Sequence, residues 1–207
     1  MKRFIASLIL VFITITPIIA GWNEAQKIVA GDRKSSDYFG FAVAVDGNIA
    51  VVGAYGEDHN VSGGDSLHSA GSAYIFKTMD GGLSWTQVQK IVASDRGERD
   101  NFGQSVSVSG DIIVIGAQYD AHDASGGSTL SSAGSAYVFR TMDSGASWTQ
   151  VQKIVASDRA ANDLFGNSVS VSGDVIVSGA CYDDEDASGA NTLANAGSAY
   201  VFRTTDS

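Results

Sequence analysis

A block of 63 residues that recurs three times without insertion or deletion, short runs of alternating apolar residues, and the lack of any helical period predict an all-β chain of β-propeller blades. Phe39-Gly40 returns as Phe102-Gly103 and Phe165-Gly166, and Gly53-Ala54 returns as Gly116-Ala117 and Gly179-Ala180. The string AGSAY starts at Ala70, Ala133 and Ala196, and QKIVA at Gln26, Gln89 and Gln152. Self-similarity at a fixed period means modules that bury their faces against one another rather than one irregular core.

Before the first module, Lys2 and Arg3 precede an apolar run of 17 residues, Phe4 to Ala20, which contains Pro17. A basic start, a short apolar stretch and a small residue at its end read as a secretory signal over 1–20, cut after Ala20. The run is at the lower limit for a membrane span, so contact with a membrane is expected only through this signal. The implied location is extracellular or cell-surface, or periplasmic in a Gram-negative source.

The middle copy shows the reasoning for each strand. Residues 102–110 alternate apolar and small polar positions, as a half-buried strand does. Ser109-Gly110-Asp111 is a tight turn. Residues 112–118, IIVIGAQ, are apolar almost throughout and so predict a strand buried on both faces. After a loop rich in Gly, Ser, Asp and Thr, residues 134–141 form a third strand, and a turn at Asp143-Ser144-Gly145 leads into a fourth over 147–156. Four antiparallel strands in sequential order make one meander module, and three such modules make a partial propeller or half of a dimeric ring. A β-solenoid would use a shorter repeat, and a β-sandwich gives no reason for internal identity.

The domain reading is a fourth strand at 22–31, blades at 39–94 and 102–157, and a split blade at 165–207, all within 21–207. Three blades fall short of the usual ring of roughly four to eight. Either two chains combine as a homodimer to complete a ring, or the chain is a piece of a longer propeller; a strained three-blade monomer is the third option.

The 207 residues carry a formal charge of −10, and removing Lys2 and Arg3 takes it to −12. Such a surface repels phosphate backbones and excludes nucleic acid as a partner, leaving divalent cations or basic partners. Cys181 is the single cysteine, so no intrachain disulfide forms. It aligns with Tyr55 and Gln118 and reads as an incidental buried thiol.

Phe-Gly opening the first strand, Gly-Ala ending the second and GSAYVF as the third resemble the FG-GAP repeats of integrin α-subunit propellers and their bacterial relatives. The resemblance spans the chain after the signal and implies a secreted, non-enzymatic binding or adhesion module with a protein or glycan ligand. Integrin-type repeats often hold calcium in a DxDxDG loop before the second strand. Here Asp46-Gly47-Asn48, Ser109-Gly110-Asp111 and Ser172-Gly173-Asp174 are too short for that, so this calcium site is not carried over. Thr78-x-Asp80-x-Gly82-x-x-Trp85 and Thr141-x-Asp143-x-Gly145-x-x-Trp148 resemble the Asp-box of sialidase-type propellers, where its role is structural.

Residues 85–144 and 148–207 agree at 45 of 60 positions, and the differences gather before Phe-Gly and in the long loop after Gly-Ala. Fixed strands with varied loops point to the loops as the binding surface. The ligand-binding candidates there are Asp120, His122 and Asp123 in the second copy and Asp183, Asp184, Glu185 and Asp186 in the third, aligned with Glu57, His59 and Asn60. Of these, Asp120, Asp123, Asp183 and Asp186 are the candidate ligands for Ca²⁺, a cation that takes clustered carboxylate oxygens. Two histidines, His59 and His122, do not make a zinc pattern. Asp32-Arg33, Asp95-Arg96 and Asp158-Arg159, with Asp37, Asp100 and Asp163, recur in every copy and so read as ion pairs or turn caps at module junctions. Tyr74, Tyr137 and Tyr200 read as packing residues. A sialidase-like hydrolase or glycan-binding propeller is the rival function, and a purely structural fragment the third. No catalytic residue is assigned, because Arg33, Arg96, Arg140, Arg159 and Arg203 sit at repeated or strand positions and leave only Arg99 apart from the repeat pattern.

Overall fold

The computed structural model describes residues 21–189 and 192–204, so the expected signal segment lies outside the described residues. Eleven strands form and no helix is present among those residues. The first module holds β1 (Val43–Asp46), β2 (Ile49–Ala54), β3 (Ser72–Lys77) and β4 (Thr86–Ile91). The second holds β5 (Ser105–Ser109), β6 (Ile112–Ala117), β7 (Ser135–Arg140) and β8 (Thr149–Ile154), and the third β9 (Phe165–Ser172), β10 (Val175–Ala180) and β11 (Ser198–Arg203). Each sheet is an antiparallel meander in sequence order, with four, four and three strands.

The central strands explain why the modules must stack. Every residue of β6 is buried, because its two sides face different neighbours. Ile113, Ile115 and Ala117 join a core with Ile49, Val51 and Ile75 of the first module. Ile112 and Val114 join another with Phe165 and Val171 of the third. The first strands β1, β5 and β9 pack successively against one another, as the axial strands of propeller blades do. At the outer end of the array the pattern changes: β7 is buried throughout its apolar length, whereas β11 alternates between half-buried and exposed, with one face covered and the other open.

Two sequence expectations change. Phe39-Gly40 and Phe102-Gly103 do not open their first strands, since β1 starts at Val43 and β5 at Ser105, whereas Phe165 opens β9 as expected. The Phe102 amide instead donates to the Ala70 carbonyl at 3.0 Å, bridging the first module to the second, and Phe165 does the same to Ala133 at 2.9 Å. Residues 22–31 form no strand, because no ladder partner lies beside them among the described residues. They keep the side-chain contacts of a fourth strand all the same. Gln26 accepts from the Trp85 amide at 2.6 Å, as Gln89 accepts from Trp148 at 2.7 Å. Ala30, Ile28 and Phe39 pack on Tyr74 and Phe76.

Cys181 is exposed, not buried as expected. The aligned Gln118 is buried because the third module covers it: Asn167 Nδ2 donates to its Oε1 at 2.6 Å. No described residue does this for Cys181.

Backbones of successive modules approach too closely for side chains at Gly53 and Gly116. A Cβ on Gly116 would lie 2.0 Å from the Gly166 carbonyl oxygen, and one on Gly53 1.9 Å from that of Gly103. At Gly179 the equivalent Cβ meets only the movable Ser168 hydroxyl at 2.5 Å. Overpacking against backbone costs more than against a side chain that can turn away. Gly116→Ala is therefore expected to destabilise the chain by at least about 2 kcal/mol more than Gly179→Ala in urea unfolding. Equal losses would show that the modules do not meet at this glycine.

Candidate functional site

The recurrent acidic residues assemble into one polar cluster per module. In the second module Asp95 comes from the connection entering the sheet, Asp120 from the loop after β6, Tyr137 from β7 and Lys153 from β8. Lys153 Nζ lies 2.6 Å from Asp95 and 2.7 Å from Asp120. The Tyr137 hydroxyl lies 2.8 Å from Asp95 and 2.6 Å from Asp120. The first module repeats the arrangement with Asp32, Glu57, Tyr74 and Lys90: Lys90 is 2.7 Å from Asp32 and 3.5 Å from Glu57. Both ammonium groups also sit over the tyrosine rings, about 5.5 Å and 5.3 Å from the centroids.

This arrangement places the sequence-derived candidates differently from the loop surface expected. Asp120 and Asp183 are fully buried and point into the junction. Burial would raise the Asp120 carboxyl, but hydrogen bonds from Lys153, Tyr137 and the His122 amide outweigh it and hold the group below its ordinary value. Asp123 faces outward and caps its own turn, accepting from Ser125 N, Gly127 N and Ser128 N within 3.0 Å. Asp186 does likewise with Ser188, and Asp184 accepts from Asn195 N. The Glu185 amide donates to Asp183 at 2.9 Å and that of His122 to Asp120 at 2.8 Å. The carboxylates proposed to share Ca²⁺ thus divide between an inward and an outward set. Among the described residues, no three His, Cys, Asp or Glu side chains converge as a metal-holding group.

The Asp-Arg pairs hold junctions, with a change of partner. Asp32 and Asp95 meet the lysine of QKIVA, and the arginines go elsewhere: Arg96 Nη2 donates to the Asp58 carbonyl and Arg159 Nη2 to that of Ala121, each at 2.8 Å. Asp100 and Asp163 cap turns, accepting from Gly97 N and Ala160 N at 2.6 Å, and Asp37 does so from Lys34 N. Lys90 and Lys153 are the residues that sequence reasoning passed over. Their signal was present, as the one charged residue kept at the apolar end of every fourth strand.

The loops above these clusters are built alike. Each is closed by a single bridge, His59 with Ser66, His122 with Thr129 and Glu185 with Thr192. Their tips, 61–65 and 124–129, are exposed. In the hairpins between third and fourth strands, Asp80 and Asp143 each accept from a serine amide at 2.9 Å and 2.8 Å, and the Thr78 and Thr141 hydroxyls accept from glycine amides at 2.9 Å. Trp148 is buried between modules beneath its hairpin.

The FG-GAP repeat model matches residues 22–76, 85–139 and 148–202. No curated protein matches the chain. A solved structure titled "Crystal structure of the computationally designed Ika4 protein" aligns over 86% of this chain and 98% of its own, at 12% identity and a TM-score of 0.31.

Replacing Lys153 by Met leaves Asp95 and Asp120 facing each other without a cation, one of them fully buried. The expected loss is about 3–5 kcal/mol, read by urea unfolding. A loss within measurement error would show that the cluster does not clamp the module. Asp100 adds a pH signature. Burial first, then the Asp120 charge, raises its carboxyl to about 6. A carboxyl raised on folding contributes stability below its unfolded value, near 4, that is lost as pH climbs through about 6. Asp100→Asn keeps an acceptor for Gly97 N. The variant is expected to gain on the parent by up to about 3 kcal/mol between pH 4 and pH 7. A constant difference across that range would refute the assignment.

Proposed function

From the chain's membership of the FG-GAP repeat family, to which it belongs through three consecutive repeats between residues 22 and 202, we propose that it is a secreted, non-enzymatic binding module that presents its long loops to a protein or glycan. FG-GAP propellers are in general non-enzymatic scaffolds of extracellular or cell-surface proteins. The observation that carries the reading is the division of labour between repeated and varied residues. The residues that recur, Asp95, Tyr137 and Lys153 among them, are spent on one another. The residues that vary, such as Ala121 and His122 against Asp184 and Glu185, belong to the loops after the second strands. Binding surfaces are commonly loops carried on a rigid frame, and the loop-closing bridges and Asp123 cap supply that rigidity.

The test is a glycan array together with immobilised extracellular-matrix proteins, probed with fluorescently labelled chain. Saturable binding to one class is expected, weakened at least tenfold when Ala121 and His122 are exchanged for the Asp and Glu that stand at those positions in the third copy. Binding that ignores this replacement, or no binding to either panel, counts against the proposal. Release of fluorophore from a fluorogenic sialoside would replace it with the hydrolase reading.

A further inference from the structure

Among the described residues the third module's cluster holds no lysine where the other two hold Lys90 and Lys153, and Lys27 near the start of the array is the unpaired equivalent of both. The Tyr200 hydroxyl lies 2.7 Å from Asp158 and 2.5 Å from Asp183, the same geometry as in the other modules. Its single proton serves two carboxylates, and no described lysine joins them. Lys27, at the QKIVA position of Lys90 and Lys153, makes no ion pair or hydrogen bond among the described residues. The sheets show the same complementarity. No described strand pairs with the outer edge of β11, and Val201 is 70% exposed where Ile75 and Val138 are 0% and 7%. Residues 22–30 are held in the pose of a fourth strand by Gln26 and Gly31, which bond Trp85 and Gln87, yet have no ladder.

We infer that residues 22–30 of one copy add to β11 of a second copy as its fourth strand, placing Lys27 between Asp158 and Asp183. Carried forward by the repeat, the register of β7 with β8 sets Tyr200 opposite Lys27, Ala199 opposite Ile28 and Arg203 opposite Asn23. An exposed edge with unpaired amides and carbonyls is a ready template for such addition. Two like charges share a cluster whose other copies hold a cation, so the joint is selective for a strand that carries lysine at this register. The strand is presented by the first module while the acceptor is the third, and among the described residues the two share no ladder within one chain. Given reciprocally, one strand from each copy makes a twofold dimer with two identical joints.

The experiment uses the purified chain, with its N-terminus mapped by mass spectrometry. Light scattering across micromolar concentrations is expected to give the dimer mass. Lys27→Glu, which disturbs no contact within the chain, is expected to raise the dimer dissociation constant by on the order of 30-fold or more, with circular dichroism unchanged. Independently, a chain with Cys181→Ser, Asn23→Cys and Arg203→Cys is expected to run as a covalent dimer on a non-reducing denaturing gel. A monomer at every concentration, a dimer indifferent to Lys27→Glu, or a disulfide formed only within one chain would each overturn the inference.

Discussion

The centre of each module is a strand that is apolar on both faces, and the rest of the architecture answers the need to cover it. Ile112 and Val114 look one way from β6 while Ile113 and Ile115 look the other, so no single sheet can hide its own core. At about 25 cal/mol per Å² of apolar surface withheld from water, the gain comes only where a second sheet is present on each side. That requirement fixes the spacing of the modules. It also drives the backbones together at Gly53 and Gly116, where nothing larger than hydrogen fits against the carbonyls of Gly103 and Gly166.

Apolar stacking alone does not fix the angle or the register of one module on the next, and the polar clusters supply this. Asp95 arrives on the connection from the preceding module, while Asp120, Tyr137 and Lys153 belong to the sheet being joined. A lysine side chain only 5% exposed, shared by two carboxylates and lying over an aromatic ring, is strong only in one geometry. Removing any member leaves buried charge, so the connection is pinned at one point. The backbone bridge from Phe102 to Ala70 pins it at a second. Two such points and a continuous apolar face leave little freedom for a module to tilt.

The fold was legible because its determinants are local and periodic. The alternation in SVSVS, the apolar run IIVIGA and the turn at Ser109-Gly110-Asp111 name strands and hairpins without knowledge of neighbours. What escaped depends on which surface meets which. Asp120 and Asp123 are three residues apart in an acidic loop, and nothing in their spacing tells that one is buried beneath Tyr137 while the other caps an exposed turn. Phe102 and Phe165 both give their amides to the preceding module, a contact between modules that hydrophobic patterning within one module does not reveal. Cys181 reads as buried because a free thiol behaves as a small apolar group, but burial of the aligned Gln118 comes from Asn167 of a following module. Lys153 was hidden by the habit of reading lysine at a strand end as solvated, when its position beside a repeated tyrosine and a repeated aspartate marked it as a countercharge.

The matched repeats run from a tryptophan at the head of one fourth strand to the third strand of the next sheet, so the unit of sequence and the unit of structure are out of phase. The second and third repeats therefore each contribute one strand, β4 and β8, to the sheet of the repeat before. Among the described residues, 22–30 pair with no sheet and the outer edge of β11 pairs with no strand. The charges obey the same phase, because the lysine travels with the fourth strand and the aspartates and tyrosine with the sheet that receives it. The forces that align Asp95 and Asp120 on Lys153 inside the chain are thus the ones that the proposed strand exchange would use again at Lys27, Asp158 and Asp183.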